Sequence, residues 1–195
     1  MYIRALRFLF LASVFTVAAC GTTSKLKPED ASSLQQLSQY DVVYVADFTN
    51  ATNQKIKNPD KAALFEKAVV DAGRTFADMI ASNLEKTKNP PAVVRALPEN
   101  TEQKVLRISG AITTFENGNA FVRFMLPLAG AAKFNANVLF FDQKSGEKMG
   151  EITVDKNSNP LGGGFAASQN ANRFMKGAAD KIAEQLELQR NPEGK

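Results

Sequence analysis

Histidine and tryptophan are both missing from this chain, and cysteine occurs once in 195 residues. Without histidine there is no imidazole to act as a general base, a zinc ligand or a charge switch near neutral pH. A single cysteine cannot close a disulfide within the chain. Gly-x-Ser-x-Gly, a Walker Gly-Lys-Ser/Thr and a repeated acidic calcium loop are also absent. Any catalysis would have to come from Asp, Glu, Lys, Ser or Tyr, and no pair of carboxylates can be placed together from the sequence. No catalytic, cofactor-binding or metal-binding residues are therefore expected. Nor is there a strong excess of charge. The formal net charge of +4 falls to +2 if Arg4 and Arg7 are removed with the first 19 residues. With Lys and Glu interspersed, that balance offers no footprint for nucleic acid.

The N-terminus is where the chain departs from an ordinary soluble domain. Arg4 and Arg7 precede residues 8–19 (FLFLASVFTVAA), a short and almost wholly apolar run. At 1.5 Å per residue it cannot cross a hydrocarbon core of about 30 Å. A basic start, a short apolar stretch and small residues before a cut site describe a secretory signal over residues 1–19. Val17-Ala18-Ala19-Cys20 resembles the lipobox of bacterial lipoproteins. That resemblance implies cleavage before Cys20 and lipid on its thiol, which then serves neither catalysis nor metal binding. The alternative is a free thiol just past an ordinary secretory cut. Two or three acyl chains hold a protein on a bilayer, each buried CH₂ contributing about 0.8 kcal/mol. In lipoproteins an Asp after the Cys favours the inner membrane. Gly21 stands there instead, so the resemblance implies the outer membrane and its periplasmic face.

Removal of residues 1–19 leaves 176, enough for one domain with a core. Residues 20–39 are polar and mixed. They read as a lipidated flexible tether with a span of roughly 25 Å. The domain is expected over 40–188, with 189–195 as a tail. Residues 41–48 (DVVYVADF) form a strand, apolar on both faces. Residues 60–87 read as a long helix, with Leu64, Phe65, Ala68, Val69, Ala72, Phe76, Met79, Ile80 and Leu84 as its apolar stripe. Asn58 or Asp60 can cap it, and Asn89-Pro90-Pro91 ends it. Strands are expected at 92–97, 105–116, 133–142 and 148–155, the second bent at Gly110. Along 133–142, Phe134, Ala136, Val138 and Phe140 face one way and Asn135, Asn137, Leu139 and Phe141 the other. Residues 142–146 make a hairpin turn with Gly at the left-handed position. A second amphipathic helix covers 168–188. The order β-α-β-β-β-β-α predicts an α+β fold: one mixed sheet of about five strands with both helices on one face. The first strand–helix–strand unit is expected to be parallel.

Several pieces of this chain resemble a family of bacterial lipoproteins catalogued as domain of unknown function 4410. They are the Val-x-Asp-Phe piece at 45–48, Gly110-Ala111-Ile112-Thr113-Thr114-Phe115, Gly118-Asn119, Arg123, Ala129-Gly130-Ala131-Ala132, residues 140–147 (FFDQKSGE) and Gly162-Gly163-Gly164. The likeness covers most of residues 41–187. The family brings no activity to carry over. At fold level the order also looks like the small periplasmic domains of curli-secretion lipoproteins.

Residues 119–132 (NAFVRFMLPLAGAA) are the candidate partner contact, through Phe121, Arg123, Phe124, Met125, Leu126 and Leu128. A dense apolar stretch in a connection, interrupted by Pro127, marks a contact surface if it is exposed. The other reading is that these side chains continue the strands and pack under the helices. Residues 161–165 could offer backbone amides to an anion before a helix, but no Lys-Ser/Thr follows them and a flexible connector explains them more simply. Asp47, at the end of the first strand, is expected to form a turn. The expected function is a membrane-anchored, non-catalytic binding or assembly module of the cell envelope, with an envelope protein as partner. The alternative is an oligomeric component of an outer-membrane secretion or transport system. No extra pair of long alternating strands is available to build a barrel wall for it.

Overall fold

A computed structural model describes residues 21–29, 37–97, 102–117, 131–157 and 170–190. One mixed sheet carries the domain. Its strands are β1 (Gly21–Thr23), β2 (Lys27–Pro28), β3 (Val42–Val45), β4 (Thr49–Asn50), β5 (Ala92–Val94), β6 (Val105–Glu116), β7 (Lys133–Asp142) and β8 (Lys148–Asn157). Two helices join them, α1 (Pro59–Leu84) and α2 (Ala171–Arg190). The order across the sheet is β1-β8-β7-β6-β3-β5, with β2 also on β8 and β4 also on β6. Strands β3, β4, β5 and β6 pair in parallel, while β6, β7, β8 and the two N-terminal strands pair antiparallel. The α+β class, the mixed sheet and the parallel β3-α1-β5 unit agree with the reading of the sequence.

Two expectations are corrected at the sheet's edge. Among the described residues the sheet has eight strands, not about five, because β1, β2 and β4, each only two or three residues long, carry no periodicity. Residues 21–28, expected as part of a free tether, are instead built into the sheet. Gly21 pairs with Lys156 and Thr23 with Val154, then Lys27 with Glu151 and Pro28 with Gly150. The register slips by one residue between the two pieces, so they form one edge strand broken at residues 24–26. Gln185 of α2 fills the break. Its side chain accepts from the Leu26 amide and donates to the Ser24 carbonyl at 2.9 Å. Polar composition predicts that a segment is wet, but sheet pairing runs through the backbone and tolerates polar side chains on an edge.

Both helices pack on one face of the sheet. Phe134, Ala136, Val138 and Phe140 are fully buried there, as their alternation predicts, together with Val43, Val45, Leu106, Ile108, Ile152 and Val154. Asn58 caps α1, its Oδ1 accepting from the Lys61 amide at 3.0 Å, with Pro59 at the first helical position where no donor is lost. Asn170 does the same for α2 through the Arg173 amide at 2.9 Å. The apolar stripe of α1 starts later than expected. Val69, Ala72, Phe76, Ile80 and Leu84 are buried, but Leu64 is 69% exposed and Ala68 is exposed. At 100° per residue Leu64 and Ala68 lie on the flank of the face that Val69, Ala72, Phe76 and Ile80 bury, while Phe65 in the same turns packs against the core.

The piece between β3 and β4 explains one of the family-like motifs. Phe48 turns into the core against Phe76, which meets Phe134 edge-on, with ring centroids 4.9 Å apart in both pairs. Helix α1 crosses Phe48 so closely that a Cβ on Gly73 would lie 2.2 Å from the Phe48 carbonyl oxygen. Gly110 is likewise required for close approach, its missing Cβ falling 1.9 Å from the Asn137 carbonyl oxygen. The break in register along β6 falls between Ile112 and Thr114, not at Gly110 as expected.

Candidate functional site

The helix-free face of the sheet is the first candidate surface. Residues that alternate away from the core meet on it in rows. Tyr44 of β3 lies beside Arg107 of β6, which lies beside Phe141 of β7. One row further on, Ser109 faces Leu139, and then Ala111 faces Asn137. Together they line a shallow depression of about 600 Å³. The Arg107 guanidinium sits over the Phe141 ring, 4.8 Å from its centroid, and its buried Nε has no hydrogen-bond partner. The stacked guanidinium and ring both present flat surfaces to a partner. No described element covers this face. The signal for it was present in the alternation of β7, where Leu139 and Phe141 point away from the core, but Tyr44 and Arg107 come from distant strands that only the register brings alongside.

A charge network borders the depression. Arg95, just past β5, donates to the Val45 carbonyl, to Asp47 Oδ1 and to Asp78 Oδ1, the last at 2.8 Å. Arg74 Nε lies 3.7 Å from the other Asp47 oxygen. Burial pulls the Arg95 pKa down, but the hydrogen bonds to Asp78 and Asp47 outweigh it and raise it. The guanidinium is thus a permanent cation tying β3, α1 and β5 together. Asp47 is a charge partner here, not the turn former expected from sequence. Its carboxylate is spoken for, which suits clamping better than acid–base chemistry.

The family-like piece at 140–147 reduces to turn chemistry. Asp142 Oδ1 accepts from the Lys144 amide at 2.9 Å and the Ser145 amide at 2.7 Å, and Oδ2 accepts from the buried Tyr40 hydroxyl at 2.9 Å. Gly146 takes the left-handed conformation at φ 73°, as expected. Burial pushes the Asp142 pKa up, but the hydrogen bonds from Ser145, Tyr40 and Lys144 outweigh it and hold the carboxyl below its ordinary range. Burial, followed by the bond to Asp142, pushes the Tyr40 phenol well above its ordinary value.

Cys20, Phe121, Arg123, Phe124, Met125, Leu126, Leu128 and the glycines at 162–164 lie outside the described residues. The points where the chain meets them are described. Gly21 follows Cys20. Asn117 precedes the apolar stretch, Ala131 and Ala132 end it, and Asn157 precedes the glycine-rich one. Glu116 pairs with Lys133, Lys133 with Asn157, and Gly21 with the adjacent Lys156. All these points therefore stand at one end of the sheet. Ala132, the last residue of the apolar stretch, is fully buried. Among the described residues no cluster of three or more Cys, Asp or Glu could hold a metal ion, and no helix is long and apolar enough to cross a membrane.

Among the described residues this is an α+β domain with two helices on one face of its sheet, none on the other, and an edge strand supplied by residues 21–28. The chain belongs to the family described as Domain of unknown function (DUF4410), whose model matches residues 43–162. Among solved structures it is similar to PelC from Paraburkholderia phytofirmans, a dodecamer. The two share 14% identity over 86% of this chain and 97% of that one, with a TM-score of 0.54. A point variant of PelC, also a dodecamer, gives 0.51 with the same identity and coverage. A Xanthomonas campestris protein of family DUF330 is 12% identical over 78% of this chain and 87% of its own, with a TM-score of 0.46. At such identities the likeness to PelC is one of fold. No functionally curated protein shows significant sequence similarity to the chain.

Proposed function

We propose that the chain is a lipid-anchored, non-catalytic binding or assembly module of the bacterial envelope. Acyl chains on Cys20 hold it at the periplasmic face of the outer membrane, and the helix-free face of its sheet contacts an envelope protein. The open row of Tyr44, Arg107 and Phe141, with Leu139 beside it, carries this reading. Aromatic rings and a stacked guanidinium, half-buried and uncovered, are the residue types that anchor protein interfaces. On sequence grounds the contact extends to the apolar stretch from Phe121 to Leu128.

Photo-crosslinking side chains placed at Tyr44 or Leu139 in living cells should capture one defined envelope protein, and one placed at Glu184 on the exposed side of α2 should not. Equal capture from both faces would remove the helix-free face from the proposal. The anchor is tested separately. Cys20→Ser should abolish fatty-acid labelling and leave a precursor that retains residues 1–19.

A second reading is an oligomeric component of a secretion or transport system. The PelC-like fold favours it, since PelC assembles as a dodecamer. In that case the open face and the sheet edges would meet further copies of this chain.

A further inference from the structure

The strand pairing of the N-terminus determines which way an anchored domain faces. If residues 20–39 were a free tether, the domain would float roughly 25 Å from the lipid and turn at random. Instead the chain is held in the sheet from Gly21 onward, by pairing with Lys156, Asp155 and Val154 and by Ser24 against Thr153 and Gln185. Consecutive Cα atoms are about 3.8 Å apart, so Cys20 stands within one residue of the end of the sheet where Lys156 and Asn157 lie. The opposite end, with the hairpin at Ser145, is the length of the ten-residue strands β7 and β8 away, roughly 30 Å at about 3.3 Å per residue.

We propose that the end of the sheet formed by Gly21, Asn117, Lys133, Lys156 and Asn157 lies against the bilayer that holds Cys20. The strands then stand off the membrane and the Ser145 hairpin points away from it. This rests on the lipid anchor proposed above. The surface suits lipid headgroups: Asn117 and Asn157 are neutral hydrogen-bonding groups, and Lys133 is paired with Glu116 at 3.0 Å, leaving no uncompensated anion against the lipid at that pair.

The full-length lipidated protein offers a direct test. Its one native thiol is consumed by the anchor, so Asn117→Cys and Ser145→Cys each introduce a single labelling site in an exposed position. Each labelled protein is reconstituted into phosphatidylethanolamine/phosphatidylglycerol vesicles containing a headgroup-linked quencher. The probe at 117 should be quenched several-fold more than the probe at 145. Equal quenching, or more at 145, with the protein still floating with the vesicles, overturns the proposed orientation and leaves the anchor standing. Failure to float overturns both. Inserting ten Gly and Ser residues between Cys20 and Gly21 should abolish the difference between the two sites. If the difference persists, the paired N-terminus is not what orients the domain, and the proposal fails.

Discussion

Gly73 and Gly177 both interrupt helices, yet they sit in opposite circumstances. A Cβ at Gly73 would strike the Phe48 carbonyl, whereas nothing lies within 4 Å of one at Gly177. Gly73→Ala should therefore destabilise by about 1–3 kcal/mol through overpacking. Gly177→Ala should stabilise by about 0.5–1 kcal/mol, the usual helical preference for Ala over Gly. Denaturant melts of the two variants should move in opposite directions. Asp142 supplies a pH signature. Its folded pKa is held below the ordinary carboxylate value, so its stabilising contribution is present above about pH 3.9 and is lost as pH falls through the folded value. The stability gap between wild type and D142N should accordingly be widest near neutrality and close on acidification. Much at this scale was legible beforehand: the hairpin glycine, the Asn58 cap and the alternation of β7 follow from local chemistry. The partners of Asp47 were not. Arg74 and Arg95 lie 27 and 48 positions away, and nothing in the run around Asp47 announces an ion pair over a turn.

The edge strand decides behaviour at the scale of elements. Deleting residues 21–28 removes the partner of β8 and leaves Gln185 without Ser24 and Leu26. A ten-residue strand with a free edge then faces water, a template for pairing with other chains. The truncated protein should unfold at lower denaturant concentration and form larger species on size-exclusion chromatography, and a form that begins at Gly21 should do neither. A milder probe is Gly150→Val. Its Cβ would fall 2.8 Å from the Lys27 carbonyl oxygen, so it should push β2 off while leaving β7 paired on the other side. Periodicity identified both helices and the three long strands because each has an apolar face to repeat. It failed for β1, β2 and β4, whose few residues contribute hydrogen bonds and almost no buried side chain. It also drew the apolar stripe of α1 too wide, taking in Leu64 and Ala68, because spacings of three and four admit residues on the flank of the buried face.

For the molecule as a whole, the open sheet face leaves two assembly states to separate. The protein beginning at Gly21 should run as a monomer in multi-angle light scattering if the face is reserved for another envelope protein. A ring-sized species that breaks up in Phe141→Glu would assign the face to self-association instead. The fold class could be read from the order of elements, but the face on which partners dock could not, because it is composed across strands by register. The way the first and last segments are joined also imposes a sequence of events in time. Ser24 pairs with Thr153, 129 residues later, and is gripped by Gln185, 161 residues later. Closing so long a loop is among the slow steps of folding, and neither partner exists until synthesis is nearly finished. Under the anchoring proposed above, the segment from Gly21 would stay unpaired during export, when processing needs it extended and accessible, and would join the sheet only afterwards. A pulse-labelled precursor should become acylated before β1 acquires protection from hydrogen exchange.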